Sequence, residues 1–246
     1  LTNLVSEDLT KAYSYFIQNT MFPINDSILS EVKYSPFAYD KHAKLFYTDD
    51  ITSPSKDRGK FIDESIDLVK KILDISQGKA LILFTSKADM NAVYTRLKAL
   101  NLNYTLIKQN EISSQQQLIH KFKQDINSVL LGTGVFWEGI SIEGIALSNL
   151  IIYKLPFPLP EPIINEKCKR SKNPLEEVLV PEMIIKLKQG VGRLIRNKTD
   201  KGILSIIDSR LGDKSKANYK EKVWQALPIK QRTNSLKELQ SFYDNL

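Results

Sequence analysis

Two arginines, a glutamine and two glycines crowd one short stretch, Lys188 to Arg196, "KQGVGRLIR". At helical spacing Gln189, Arg193 and Arg196 stand at i, i+4 and i+7, which puts all three side chains on one face. Val191, Leu194 and Ile195 are then left to face a sheet. Two guanidinium forks side by side suit phosphate oxygens, which they bind through paired, charge-assisted hydrogen bonds. An arginine held near a γ-phosphate speeds phosphoryl transfer by roughly 10³ to 10⁵. Each glycine inside a helix costs roughly 1 kcal/mol relative to alanine, so Gly190 and Gly192 are expected to clear space in which another backbone or domain can approach. A surface helix carrying salt bridges is the competing reading for an arbitrary Arg-x-x-Arg pair; the glutamine and the glycines at this spacing turn the balance toward phosphate chemistry.

Such a segment needs a scaffold, and the rest of the chain supplies an alternating one. "KLFYT" reads as a short strand entered from "SPFAYDKH", where Pro36 disfavours helix. A helix is expected from Arg58 to Ser76, then a buried strand "KALILFTS", a helix from Lys87 to Leu100, and a strand "NYTLIK". A helix from Ser113 to Gln124, strands "SVLLGTG" and "SNLIIYKLPF", proline-punctuated segments, a helix from about Pro181 to Ile195 and a last strand "GILSIID" complete the series. Strand and helix alternating at this spacing predict an α/β fold, a parallel sheet with helices on both faces. Residues 1–55, with an amphipathic helix at about Ser6 to Gln18, are expected to form the lead-in of the same domain as residues 56–246.

Ligands of such sheets gather at the carboxyl ends of the strands. There the sequence places Thr85, Ser86 and Lys87, then "GTGVFWEG" with Phe136, Trp137, Glu138 and Gly139, then "LPFP". Hydroxyls and a cation at residues 85–87 suit contacts to a nucleic-acid backbone without reading sequence. Solvation of an exposed loop accounts for them as well. Phe136 and Trp137 have two open readings: platforms on which unpaired bases stack, worth roughly 1 to 3 kcal/mol per base, or anchors of their loop in the core.

Several function classes drop out. No G-x-x-x-x-G-K-[ST] phosphate loop exists, and the third glycine of a dinucleotide fingerprint is replaced by Trp137. "IDES" at Ile62 to Ser65 opens a helix, where acids are favoured electrostatically, instead of ending a strand as a Mg²⁺-binding motif does. One cysteine, Cys168, excludes an internal disulfide, and with only two histidines, His42 and His120, no metal site is expected in this chain. No apolar run is long enough to span a bilayer and the first residues lack the pattern of a signal peptide, so no membrane partner and a cytoplasmic setting are expected. The 246 residues carry 35 Lys and Arg against 28 Asp and Glu, a net charge of +7 concentrated in the C-terminal half. This favours a polyanionic partner without proving one.

Taken together, these segments resemble the DinG/XPD-type DNA helicases of superfamily 2. "QGVGRLIR" is similar to helicase motif VI, "ALILFTSKADMNAVYTRL" to motif IV, "LLGTGVFWEGISIEG" to motif V, and "LIIYKLPFPLPEP" to the segment after it. The resemblance implies a RecA-like second helicase domain. It implies ATP and Mg²⁺ bound mainly by a first RecA-like domain of the same polypeptide, absent from this chain, and single-stranded DNA as the other partner. Arg193 and Arg196 would contact the ATP phosphates, one as arginine finger, with Gln189 holding the site together, while Glu138 couples nucleotide state to the DNA grip and Gly139 permits a tight turn. An iron–sulfur cluster belongs, if anywhere, to another part of the full protein. The sequence departs from the family's motif V at Val135, Ser141 and Glu143, where serine, aspartate and proline are usual. The lost aspartate leaves a second reading open, a DNA-binding module of a helicase-like exonuclease with weak or no unwinding activity.

Overall fold

The computed structural model describes residues 13–20, 37–138, 142 and 146–246. Most of the expected N-terminal helix, residues 35 and 36 of the "SPFAY" segment, Gly139, Ser141 and Glu143 lie outside these. Seven parallel strands form one sheet: β1 (Ala43–Tyr47), β2 (Ala80–Phe84), β3 (Leu106–Lys108), β4 (Val129–Thr133), β5 (Asn149–Tyr153), β6 (Gly202–Ile206) and β7 (Arg232–Thr233), in the order β3-β4-β2-β5-β6-β1-β7. Because β2 sits between β4 and β5, the chain must cross over it, and the carboxyl ends of these three central strands open side by side.

The helices are α1 (Ser14–Thr20), α2 (Tyr39–His42), α3 (Arg58–Ser76), α4 (Lys87–Ala99), α5 (Gln115–Gln124), α6 (Pro162–Arg170), α7 (Val180–Val191), α8 (Lys220–Ala226) and α9 (Leu236–Asp244). Period-two alternation divides the apolar strand residues between two cores. Leu81, Leu83, Leu130, Leu150, Ile152 and Leu204 pack with α5, α7 and α8. Ile82, Phe84, Val129, Leu131, Ile151 and Ile203 pack on the other face with α3, α4 and α9. Five-residue strands buried at every position, as β2, β4, β5 and β6 are, leave no room for polar alternation.

Local chemistry fixes the ends. Asp57, Ser86, Ser114 and Ser235 each accept a backbone N–H at a helix start, and Ser114 with Gln117 closes a full capping box. α7 is entered through a wide π-turn at Leu175–Leu179. Pro181 has no N–H to give to the carbonyl four residues back, and the wider turn absorbs that loss.

Six tyrosines, Tyr15, Tyr47, Tyr104, Tyr153, Tyr219 and Tyr243, are pushed toward the neutral phenol, chiefly by burial. Tyr47 closes β1, its hydroxyl donates to Asp213 Oδ2 at 3.0 Å, and its pKa is pushed up to about 12 by burial and then by that carboxylate. A raised acid pKa stabilises the fold fully below the unfolded value of about 10 and loses that contribution as pH rises through about 12. In a difference ultraviolet titration, wild type minus Tyr47→Phe, the missing phenolate is expected to ionise near pH 12; a difference step at the position of a free tyrosine would refute the contact.

Candidate active site at the carboxyl ends of the central strands

A cleft of about 290 Å³ opens at the carboxyl ends of β2, β4 and β5. Its lining includes Thr85 from the end of β2, Glu138 from the turn after β4, and Gln189 from α7. Three residues separated by up to about a hundred positions in sequence thus converge. Pro156, Phe157, Pro158 and Leu159, in the strip that leaves β5, line it as well. Glu182, Ile185 and Lys186 continue the Gln189 face of α7 backwards by three to seven residues, so the same helical spacing that pointed to Gln189 would have reached them.

The expectation that the arginines share the Gln189 face of one continuous helix is corrected. α7 ends at Val191, with Gly192 as its cap, and Arg193 and Leu194 close tight turns by donating to Gly190 and Val191 carbonyls at 2.9 and 3.1 Å. The backbone N–H groups of Arg196 and Asn197 then donate to Asp200 Oδ2 at 2.9 and 3.2 Å, which steers the chain into β6. Arg193 stays close to the cleft because its Nε donates to the Gln189 carbonyl at 3.3 Å. Burial lowers its pKa and the charge of Glu138 opposes that shift; guanidinium remains charged throughout, so the physical content is attraction between Glu138 and Arg193. Both arginines are half-buried.

The aromatic pair is anchored, not displayed. Phe136 and Trp137 are both 0% exposed. A β-carbon on Gly132 would stand 2.5 Å from the Phe136 ring, and one on Gly190 2.8 Å from the Trp137 ring. The indole Nε1–H donates to the Phe84 carbonyl at 2.8 Å. Turning Trp137 outward would forfeit burial of the order of 1.5–3 kcal/mol and strand a buried carbonyl for about 1–3 more, against the roughly 1–3 that base stacking returns. The stacking reading is therefore set aside for both rings. Gly190 is bare to receive an indole of its own chain instead of a second domain; a β-carbon on Gly192 would make only an ordinary contact, 3.4 Å from the Lys188 carbonyl oxygen.

Residues 85–87 separate in role. Only Thr85 lines the cleft. Ser86 Oγ accepts the Asp89 N–H at 3.1 Å and caps α4, and Lys87 Nζ pairs with Glu111 at 3.3 Å on the exposed surface. Gly139 lies outside the described residues.

Sequence reading also missed several polar pairs near the strand ends. Buried Asp89 binds Arg58 and Lys154, and Lys154 holds a left-handed backbone, φ 70°, directly after β5. Glu182 accepts from Tyr15 at 2.6 Å and Lys167 at 2.7 Å, so most of its charge is answered before any ligand arrives. Buried Asp208, past the end of β6, accepts the Leu155 N–H at 2.8 Å and holds the Arg210 guanidinium through contacts of 2.9 and 2.7 Å. Among the described residues no group of three or more His, Cys, Asp or Glu side chains is arranged to hold a metal, and no helix is long and apolar enough to cross a membrane.

Residues 69–230 match the model of the helicase C-terminal domain. The ATP-dependent DNA helicase YoaA of Haemophilus influenzae is 33% identical over 227 residues, which cover 89% of this chain and 34% of that protein. The 3'-5' exonuclease DinG of Bacillus subtilis is 33% identical over 216 residues, 83% of this chain and 22% of that protein. An XPD helicase structure aligns over 78% of this chain and 35% of its own with a TM-score of 0.61 at 22% identity, which speaks for the fold. The chain thus spans about a third or less of these curated relatives.

Proposed function

Because this chain belongs to the DinG/XPD-type superfamily 2 helicases as a helicase C-terminal domain, we propose that it is the second motor domain of an ATP-dependent DNA helicase. In this reading it completes an ATP site shared with a first RecA-like domain and tracks single-stranded DNA. The observation that carries it is the meeting of Thr85, Glu138 and Gln189 in one cleft, with Arg193 held beside them by the Gln189 carbonyl. Half-buried guanidiniums past α7 suit phosphate, and a sequence without a phosphate loop, with no acid cluster among the described residues, suits a domain that supplies only half of a nucleotide site. ATP, bound with Mg²⁺ mainly by the other domain, would supply the phosphoanhydride whose cleavage drives movement. On this side Arg193 and Arg196 would neutralise developing phosphate charge, Gln189 would fix the end of α7, and Glu138 would hold Arg193 in place. Thr85 and the turn after β4 would meet the DNA backbone, and residues 1–55 would belong to the same domain.

The name of the Bacillus subtilis relative favours keeping a second reading, a DNA-binding module attached to an exonuclease. One experiment tests the main reading. The isolated chain is expected to hydrolyse no ATP, and the full-length protein to hydrolyse it with stimulation by single-stranded DNA that weakens as salt rises. Robust ATP hydrolysis by the isolated chain would sink the shared-site assignment, and a full-length protein that binds DNA without hydrolysing ATP would favour the second reading.

A further inference from the structure

Trp137 touches two other segments and belongs to a third, and each of the three carries a residue of the proposed site. Its indole N–H donates to the carbonyl of Phe84, which immediately precedes Thr85. Its six-membered ring occupies the space a side chain at position 190 would need, beside Gln189. Its own backbone leads directly into Glu138. The ring is fully buried, and Lys186 of α7 lies 5.7 Å from its centroid, inside the range of a cation–π contact. A hydrogen bond and a steric fit, one polar and one apolar, thus fix the end of α7 against the ends of β2 and β4. Neither tolerates sliding, because a buried carbonyl loses its donor in one case and a ring meets backbone in the other.

We propose that Trp137 is a positioning residue that locks the nucleotide-facing end of α7 to the DNA-facing ends of β2 and β4, so that a shift at Gln189 and Arg193 is delivered to Thr85 and Glu138. The inference rests on the shared-site reading above. Packing alone would make Trp137 equivalent to any other buried residue of the sheet. Coupling makes it special in a ratio, the DNA-stimulated over the basal rate of ATP hydrolysis.

Trp137→Phe keeps a ring beside Gly190 and removes the N–H donor. Gly190→Ala keeps the donor and displaces the ring. Ile203→Val, a mild truncation in the core on the opposite face of the sheet, serves as the control for lost packing. In the full-length protein both site variants are expected to lower the stimulation ratio by about tenfold or more, with the basal rate less affected. Ile203→Val is expected to leave the ratio within about twofold of wild type. Melting curves on all three match them for stability, and if Gly190→Ala does not fold, Trp137→Phe carries the test alone. A Trp137→Phe ratio equal to wild type, or a fall matched by Ile203→Val, would overturn the inference while a DNA-stimulated wild type keeps the shared-site reading intact. A wild type without ATP hydrolysis would end both.

Discussion

Full-length protein carrying Arg196→Ala is expected to lose single-stranded-DNA-stimulated ATP hydrolysis by about 10³-fold or more, and Arg193→Ala to fall in the same direction. Both side chains follow the end of α7, and both are half-buried. Alanine keeps the Arg196 backbone N–H that Asp200 accepts, so the turn into β6 retains its bracing when the guanidinium is removed. Lysine at either position keeps the charge and loses the planar fork, and is expected to restore little of the rate. Circular dichroism melting separates lost chemistry from lost fold. Steady-state hydrolysis with and without DNA decides the assignment: Arg196→Ala without effect on any activity would sink the arginine-finger reading and leave the exonuclease-module reading standing.

Much of the scaffold was legible because it obeys simple periods. The helix expected at about Arg58 to Ser76 is α3, and the buried runs around "ALILF" and "NLIIY" are strands. What the sequence hid follows from weak or competing signals. α6 buries none of its residues, so its sequence carries no core face to detect, and three prolines precede it. β7 is two residues long, too short for any alternation. α9 carried a readable start, Ser235 followed three positions on by Glu238, in a tail where no strand pattern drew attention to it.

The site divides in the same way. Thr85 and Glu138 stand out because strand ends in a parallel sheet converge, Gln189 because of its spacing on a helix, and all three line one cleft. The helical period extends past the helix's true end at Val191 and so misplaces the arginines, since a glycine in a helical pattern does not announce whether the helix stops there. The purpose of Gly190 was invisible, because the indole that fills its space lies over fifty positions away. Trp137 and Gly190 make sense only as a pair, and local sequence cannot show a pair so far apart. The two segments that resemble motifs V and VI, read separately as two contributions to a ligand, meet in this fold where the Trp137 ring packs on Gly190.

The largest expected loss of stability is at buried Asp208, past the end of β6. Asp208 is 0% exposed and accepts the backbone N–H groups of Leu155 and Arg210 together with the Arg210 guanidinium. Asp208→Ala would leave the Leu155 N–H without its acceptor and a largely buried cation without its counter-charge, and is expected to cost about 3–5 kcal/mol in urea unfolding. Removing both charges is a different perturbation. Asp208→Ala with Arg210→Met replaces a desolvated ion pair by apolar groups, which is often close to neutral, so the double variant is expected to recover much of the loss. A double variant as unstable as the single one would mean that the Leu155 hydrogen bond, not the stranded charge, carries the effect. The consequence reaches the site, because Leu155 begins the strip whose prolines and Phe157 wall the cleft, and Arg210 stacks 5.0 Å from the Phe157 ring. Asp208→Asn keeps an acceptor for the Leu155 N–H while losing the charge. It is therefore expected to be less stable than wild type yet to hold the strip in place, which DNA affinity measured at matched salt can separate from the unfolding free energy.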